Sequence, residues 1–248
     1  PMTKPVWKPL LPVYDKPLIY YPIATLLQAG IRDILVIIPP GEEREFQNLL
    51  GDGSELGLHI EFAVQKVARG IADALIIGED FIGDDSVCLV LGDNIFQCHN
   101  LDEIMKEAIK DDHGAKVFGY YVDDPRPFGV VEFDENGQAV SIEEKPKNPK
   151  SNYIVPGLYF YDNQVIDIAK NLKPSARGEY EITDVNLEYL SRGQLKVIPF
   201  DRGLTWMDAG TEDSMLEAAE IVKALQKSGC YVGCLEELAW KEGFVSLD

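Results

Sequence analysis

Short apolar runs alternate with amphipathic segments along this chain. The runs have the length of buried strands, and the segments between them place apolar residues three and four positions apart, as a helix face does. The runs predict strands at residues 34–38, 60–64, 87–91, 116–122 and 195–200. The segments predict helices at residues 18–28, 42–50, 71–78, 101–109, 179–190 and 214–226. Strands that are apolar throughout are buried on both faces, so the pattern predicts a largely parallel sheet covered by helices on both sides.

Residues 128–144 follow a different period. Apolar and polar side chains alternate there around Asn136-Gly137. A period of two is typical of half-buried strands, and Asn-Gly is typical of a tight turn between antiparallel strands. The segment therefore predicts an antiparallel hairpin within an α/β frame. Since no repeat or low-complexity linker interrupts the chain, we expect residues 1–248 to form a single domain.

Composition narrows the possible functions of the 248-residue chain. Its 42 acidic and 23 basic residues give a net charge of −19, which disfavours nucleic acid as a partner. No apolar run approaches the roughly 20 residues of a membrane helix, and no signal peptide stands at the start. The four cysteines and three scattered histidines lack zinc-site spacing, and together these features predict a cytoplasmic protein. An anionic substrate would need a few local cations and a metal ion.

Two acidic residues stand at positions suited to such a metal. Asp93 follows the apolar run 87–91 after one glycine, and Asp208 precedes a predicted helix. Ligands bind beyond the carboxyl ends of strands in α/β sheets, and Mg²⁺ uses one or two carboxylates together with phosphates and water. The alternatives are an ordinary turn at Gly92-Asp93-Asn94 and a helix-terminal role for Asp208. Thr211 is better placed as the helix cap, which leaves Asp208 free for a ligand.

Basic residues near predicted element ends are the candidate anion ligands. Lys145 follows Glu144 at the end of the hairpin, where a lysine can hold a phosphate and a glutamate can accept sugar hydroxyl groups. Lys8 and Lys16 precede a predicted helix start. The alternatives are a solvated charge cluster for the first pair and a surface basic pair for the second.

Seven motifs in this order resemble those of bacterial glucose-1-phosphate thymidylyltransferases, which are sugar nucleotidyltransferases. They are Lys-x-Leu-Leu-Pro-Val-Tyr-Asp-Lys-Pro, Val-Leu-Gly-Asp-Asn, Phe-Gly-Val-Val-Glu-Phe-Asp, Glu-Glu-Lys-Pro, Gly-Leu-Tyr-Phe-Tyr-Asp, Arg-Gly-Glu-x-Glu-Ile-Thr-Asp-Val-Asn and Trp-x-Asp-x-Gly-Thr. The similarity extends from Pro1 to about Phe244. It implies a doubly wound, Rossmann-like mixed sheet with an antiparallel sugar-binding insertion.

The resemblance also implies an activity. Glucose 1-phosphate would attack the α-phosphorus of dTTP in line, with Mg²⁺, to form dTDP-glucose and pyrophosphate. One alternative is a uridylyltransferase that uses UTP, and another is an inactive regulatory subunit that only binds nucleotide sugars. The resemblance further implies a homotetramer that a downstream dTDP-sugar inhibits.

Individual roles follow from the positions of the matching motifs. Asp93 and Asp208 would bind Mg²⁺, and Lys8 would contact the triphosphate. Lys145 and Arg177 would hold the sugar phosphate near the reacting phosphorus. The expected substrate-binding residues are Gln65 and Gly70 for the base, Glu144, Tyr159 and the Gly129 and Val155 backbones for the sugar, and Asn94.

The chain departs from the family pattern at its start and at two single positions, and it lacks or shortens the family's C-terminal helical extension. The family opens with a strand and a Gly-Gly-x-Gly-Thr-Arg loop that holds the triphosphate, whereas this chain begins at Pro1, just after that point. We expect that strand and loop to lie upstream of Pro1 in a longer protein; the alternative is an inactive chain. Pro9 stands where a glutamine is common, and Ala68 where a proline is common.

Overall fold

A mixed sheet of seven strands lies at the centre of the computed structural model, which describes residues 6–110 and 113–246. The strands are β1 (Pro12–Val13), β2 (Lys16–Pro17), β3 (Asp33–Ile38), β4 (His59–Val64), β5 (Val87–Val90), β6 (Asn94–Gln97), β7 (Ala115–Tyr121), β8 (Gly129–Phe133), β9 (Ala139–Glu144), β10 (Tyr153–Ile154), β11 (Leu158–Tyr161), β12 (Leu195–Pro199) and β13 (Thr205–Asp208). The helices are α1 (Tyr20–Gln28), α2 (Glu43–Leu50), α3 (Asp73–Ile77), α4 (Glu79–Ile82), α5 (Leu101–Lys110), α6 (Gln164–Asn171), α7 (Ile182–Ser191), α8 (Glu212–Lys227) and α9 (Leu235–Lys241). Each strand and helix predicted from the pattern is present, and α7 shows the largest shift, since it begins at Ile182 rather than residue 179.

The strand directions correct one expectation. The order is β5-β11-β7-β10-β8-β9, with β12 beside β7. Among the described residues only β3–β4 and β7–β12 pair in parallel, so the expectation of a largely parallel sheet is wrong and the sheet is mixed. The reason is β11, which was not predicted as a strand and runs antiparallel between β5 and β7. All four of its residues are buried, and an apolar pattern reports burial without reporting direction.

Helices cover both faces of the central strands, as the predicted doubly wound fold requires. Val117 of β7 packs with residues of α6 and α7, including Val165 and Tyr189. The next residue, Phe118, points to the opposite face and packs with Met105 of α5. The α/β layering is thereby confirmed.

The predicted hairpin is present as β8 and β9, and it lengthens the central sheet at one end. Its loop is longer than a two-residue turn and spans residues 134–138. The Asp134 carboxylate accepts the backbone N–H groups of Asn136 and Gln138 at 2.9 and 2.8 Å, and Gly137 takes a φ of 75°. Helix α7 packs on β9, which brings the start of that helix beside the end of the hairpin.

A groove separates β3 from β5. Within the described ranges β3 pairs only with β4, and β5 pairs only with β11, so their facing edges bear unpaired backbone groups. Cavities of about 720 and 590 Å³ lie between the two strands, the larger at their carboxyl ends. Leu26 of α1 and Ala74 of α3 line both cavities, so helices roof the groove on both sides.

The cysteines form no cross-link. Cys88, Cys98, Cys230 and Cys234 are all free thiols. In residues 6–110 and 113–246, no three His, Cys, Asp or Glu side chains group closely enough to hold a metal ion by themselves. In the same ranges no helix combines the length and apolar character needed to cross a membrane.

Thr211 caps helix α8, as its sequence position predicted. Its Oγ1 accepts the Ser214 N–H at 3.2 Å, and Ser214 Oγ accepts the Thr211 N–H at 3.0 Å. We expect Thr211→Ala to lower the free energy of unfolding by about 1 kcal/mol, because the Ser214 N–H at the helix start loses the side-chain oxygen that accepts it. Urea denaturation measures the change. Thr211→Ser is the control, since it keeps the hydroxyl, and equal stability of both variants would contradict the assignment.

Candidate active site

The larger cavity brings together the residues predicted from the sequence. It lies at the carboxyl ends of β3 and β5, where ligands bind in open α/β sheets. Its lining includes Gln65, Gly70, Asp93, Asn94, Gly129, Glu144, Lys145, Val155, Tyr159, Arg177 and Asp208. Lys8 stands at the rim between Trp7 and Pro9, both of which line the cavity.

Two carboxylates meet where β6 pairs with β13. Asn94 lies opposite Asp208 in this antiparallel ladder, and Asp93 directly precedes β6. The Ala209 N–H donates to the Asp93 carbonyl at 2.8 Å, which fastens the two segments together. Burial raises the pKa of Asp208 above its ordinary value, and the negative charge of Asp93 raises it further. The ladder therefore holds two mutually repelling acids at one edge of the cavity.

This acid pair suits a divalent cation. The Lys8 ammonium lies 2.6 Å from Asp93 Oδ2 and opposes the rise in the pKa of Asp208. No third acid joins them among the described residues. Two hard oxygen donors are the protein ligands expected of an ion such as Mg²⁺, which takes its other ligands from phosphates and water. The residues present thus fit the metal predicted from the sequence.

Asn94 holds Asp93 in place through hydrogen bonds. Its side chain is 3% exposed, and its Nδ2 donates to Asp93 Oδ1 at 3.0 Å. Its Oδ1 accepts the Gly157 N–H at 3.0 Å and the Trp206 indole N–H at 2.7 Å. These contacts make Asn94 a positioning residue for Asp93, while its predicted contact with substrate stays a prediction.

The Glu144-Lys145 pair reaches the cavity because the backbone turns there. Successive strand residues normally point to opposite faces of a sheet. Lys145 instead has a φ of 45°, in the left-handed region that residues other than glycine rarely adopt. Both side chains line the cavity as a result. A strained backbone at a cavity is a feature that active sites often show.

Thr183 fixes the Glu144 carboxylate. Its hydroxyl donates to Glu144 Oε2 at 2.6 Å, and it is 4% exposed. A Cβ at Gly129 would lie 3.2 Å from Thr183 Oγ1 and 3.4 Å from Glu144 Oε2, so a small residue is needed there. Thr183 was not among the predicted site residues; its position within the Glu-Ile-Thr-Asp motif was the available signal.

Arg177 is surrounded by carboxylates. Its Nη2 lies 2.8 and 2.9 Å from the two oxygens of the buried Glu181, 3.5 Å from Glu179 and 3.6 Å from Glu144. Hydrogen bonding to Glu181 is the main cause of its raised pKa. Because these acids offset its charge, an incoming phosphate must share or displace them. Glu181 was not among the predicted site residues, although it lies in the same motif as Arg177.

The segment 65–73 forms another corner of the cavity. Gln65 Nε2 donates to Asp73 Oδ2 at 3.0 Å, and Arg69 Nη2 donates to Asp73 Oδ1 at 2.8 Å. Gly70 has a φ of 103°, and a Cβ there would lie 2.4 Å from the Tyr180 carbonyl oxygen. The Tyr180 N–H in turn donates to the Arg69 carbonyl at 2.6 Å. Only glycine allows this close contact, which fastens the corner to the segment that contains Arg177.

Tyr159 and the backbones of Gly129 and Val155 form the cavity wall beside Glu144. Tyr159 is 3% exposed and stacks on Tyr161, with ring centroids 6.0 Å apart. Burial raises its pKa, and Glu144 and Asp93 add to the rise. The Val155 N–H donates to the Gly129 carbonyl at 2.8 Å. The predicted sugar contacts of these backbones therefore depend on the Gly129 N–H and the Val155 carbonyl.

Known proteins share much of this sequence and its fold. The profile of the nucleotidyl transferase family matches residues 1–224. A glucose-1-phosphate thymidylyltransferase of Neisseria gonorrhoeae is 54% identical over 247 residues, which cover 99% of this chain and 86% of that protein. The enzyme of the same name from Mycobacterium tuberculosis is 52% identical over 246 residues, 99% of this chain and 85% of that protein.

Two crystal structures extend the comparison. A Bacillus anthracis protein assigned as a glucose-1-phosphate thymidylyltransferase, in complex with sucrose, superimposes with a TM-score of 0.82 at 43% identity, covering 89% of this chain and 88% of that one. A UDP-glucose pyrophosphorylase complexed with UDP-glucose gives a TM-score of 0.78 at 22% identity over 92% and 93% of the chains, a likeness of fold alone. The predicted fold class and family are thereby confirmed. The protein belongs to the nucleotidyl transferase family, whose members generally use a divalent metal, and within it to the group of glucose-1-phosphate thymidylyltransferases.

Proposed function

We propose that this protein forms dTDP-glucose and pyrophosphate from dTTP and glucose 1-phosphate in a Mg²⁺-dependent reaction. The observation that supports this most directly is that the acid pair Asp93 and Asp208 faces the same cavity as Glu144 and Lys145. One side of the cavity thus suits a metal–triphosphate, and the other suits a phosphorylated sugar. A pyrophosphate-release assay with dTTP, glucose 1-phosphate and Mg²⁺ tests the proposal, and no release by the full-length protein would reject it.

The reaction makes few chemical demands on the protein. The phosphate oxygen of glucose 1-phosphate is already an anion, so no general base is required. Bound between Asp93 and Asp208, Mg²⁺ would supply positive charge to the phosphate oxygens. The remaining tasks are to align two anionic substrates and to offset their repulsion, which is about 4 kcal/mol for unit charges 4 Å apart at an effective dielectric constant of 20.

Three cations are proposed to meet that repulsion. The Lys145 side chain is half-exposed and lies 3.9 Å from Glu144, so its ammonium can reach a phosphate joined to a sugar held by that acid. Arg177 adds a second charge at the same side. Lys8, beside Asp93, lies where it can contact the triphosphate of the bound nucleotide.

Sugar binding is proposed for the hairpin end. Glu144 is held by Thr183 and lies near Arg177, so its carboxylate is fixed before a ligand arrives. A fixed acceptor loses little conformational entropy on binding hydroxyl groups. Tyr159 and the Gly129 and Val155 backbones complete the proposed sugar pocket.

Two alternatives to this function remain to be compared with it: an enzyme that uses UTP in place of dTTP, and a protein that binds nucleotide sugars without turnover. UTP shares the pyrimidine edge of dTTP, and the thymine methyl is worth only about 1–3 kcal/mol, so some use of UTP is compatible with the proposal. An inactive regulatory subunit would bind nucleotide sugars without releasing pyrophosphate. The shared cavity of Asp93, Asp208 and Lys145 favours an enzyme over that subunit.

We also propose that residues 1–248 belong to a single nucleotidyltransferase domain whose first strand and glycine-rich loop lie upstream. The groove between β3 and β5 supports this, since a strand there would pair with both unpaired edges. The loop that follows this strand would then enter the larger cavity, which lies at the carboxyl ends of β3 and β5. We further propose a cytoplasmic homotetramer, which light scattering of the full-length protein can test.

Asp208→Asn should abolish activity and stabilise the metal-free protein. We expect turnover to fall about 100-fold or more, because the amide is a poor metal ligand. The raised pKa of Asp208 means that its ionisation opposes folding. Thermal denaturation at pH 7 should therefore show a higher Tm, and the gain should vanish as the pH falls through the raised pKa, where Asp208 is already protonated.

Asp93→Asn is the matched control for this prediction. It should also abolish turnover, but without a comparable gain in Tm, because the loss of the ion pair between Asp93 and Lys8 offsets the relief of the repulsion on Asp208. Near-normal turnover of either variant at low Mg²⁺ would contradict the proposed metal ligands.

Lys145→Ala should lower kcat far more than it raises KM for glucose 1-phosphate. Charge develops on the transferring group and the leaving pyrophosphate, where a positioned cation stabilises the transition state most. We expect a loss of about 10²–10³-fold in kcat by steady-state assay, with only partial rescue by Lys145→Arg. All three side chains meet the same backbone strain at this position, so the comparison isolates the charge. A change in KM alone would reject the catalytic role.

A further inference from the structure

Asp73 lies behind Gln65, outside the cavity lining, and the proposed reaction gives it no role. It is 1% exposed, and both carboxylate oxygens are occupied. Oδ2 accepts from Gln65 Nε2 at 3.0 Å, and Oδ1 accepts from Arg69 Nη2 at 2.8 Å. Arg69 is half-exposed and supplies the counter-charge for the buried acid.

The surroundings of Gln65 determine which way its amide faces. A carboxylate beside an arginine accepts hydrogen bonds and donates none. The second neighbour of the amide nitrogen, 3.4 Å away, is the Gly70 carbonyl, which also only accepts. Both amide hydrogens therefore point at Asp73 and Gly70, and the oxygen points away from them. Within the described part of the chain Oε1 has no hydrogen-bond donor and is not buried, so it faces the cavity that Gln65 lines.

We propose that Asp73 is a specificity-determining positioning residue, which makes position 65 present an acceptor, and only an acceptor, to the nucleotide base. The proposal rests on the proposed function, in which Gln65 contacts the base. A free glutamine amide could both donate to a base carbonyl and accept from a base N–H. The Gln65 amide can only accept, because its nitrogen is already occupied by Asp73 and Gly70.

An acceptor at this place selects among pyrimidines. Thymine and uracil carry an N–H at ring position 3, which can donate to Gln65 Oε1. Cytosine carries a lone pair there, so two acceptors would face each other without a hydrogen. A buried polar contact that fails to form is a stronger basis for discrimination than a missing methyl group. Asp73 thus directs the site toward bases with an N3–H and against cytosine, without distinguishing thymine from uracil.

Asp73→Asn tests the inference through a ratio of activities. Arg69 can only donate, so it should take the carbonyl oxygen of the substituted side chain and leave the new amide nitrogen facing Gln65. The Gln65 amide is then free to turn and present its nitrogen to the base. The ratio of kcat/KM for dTTP to that for dCTP, with glucose 1-phosphate and the full-length protein, should fall about tenfold or more. A merely structural loss would lower both values together and leave the ratio unchanged.

Two further variants separate orientation from charge and stability. The double variant Gln65→Glu with Asp73→Asn keeps the net charge and offers the base only acceptors, so its ratio should stay within about threefold of the wild-type ratio. Asp162→Asn is the matched control, because Asp162 is also buried but bonds Tyr189 and Gly114 at the far end of β11. It should lower both activities equally.

The outcomes distinguish this inference from the proposed function. Absence of wild-type turnover with dTTP would reject the proposed function. An active wild type whose dTTP-to-dCTP ratio is unchanged by Asp73→Asn would overturn only the inference. A double variant with a ratio as low as that of Asp73→Asn would also overturn it. Should Asp73→Asn fail to fold by circular dichroism, Asp73→Ser gives the same test, since serine is tolerated at the start of α3 and its hydroxyl leaves Gln65 free to turn.

Discussion

Two negative charges held close together in a partly buried place are the constraint on which the site depends. The β6–β13 ladder brings Asp93 and Asp208 to one edge of the cavity, and burial together with their repulsion raises the pKa of Asp208. Neighbouring groups offset part of this repulsion. Lys8 forms an ion pair with Asp93, and the Asn94 side chain donates a hydrogen bond to the same carboxylate. A strongly acidic chain thereby retains an edge that attracts cations and tolerates polyphosphate only when cations accompany it.

The same logic governs the cations themselves. Arg177, Arg69 and Lys8 each lie against at least one carboxylate, so their positions are fixed before any substrate binds. Pre-set geometry reduces the entropy lost on binding, and it also means that substrate phosphates compete with protein acids for these charges. Lys145 differs, since its nearest acid is 3.9 Å away and its backbone is strained. Of these four it is the cation whose charge is least committed to the protein.

Sequence patterns predicted most of the strands and helices but few of the side-chain contacts. The apolar runs located β3, β4, β5, β7 and β12, because burial on both faces leaves a visible run. The direction of β11 could not be predicted, since it depends on which strands lie beside it. Motifs identified the residues that line the cavity, whereas the hydrogen bond between Thr183 and Glu144 joins residues 39 positions apart and leaves no local trace. Asp73 had no predicted role, and only the three-dimensional contacts show the hydrogen bond that it accepts from Gln65.

The place of β11 in the sheet also governs how the chain can assemble. It separates β5 from β7, although both precede it in the sequence, so the middle of the sheet cannot close until Tyr161 has been made. From Tyr121 to Tyr161 a ribosome adds 161 − 121 = 40 residues, which takes roughly 2–8 seconds at about 5–20 residues per second. Throughout that interval two apolar strands lack their common partner, and unpaired apolar edges attract other chains. During this interval of synthesis a newly made chain therefore exposes apolar strand edges at which it can aggregate, in the cell as in rapid expression.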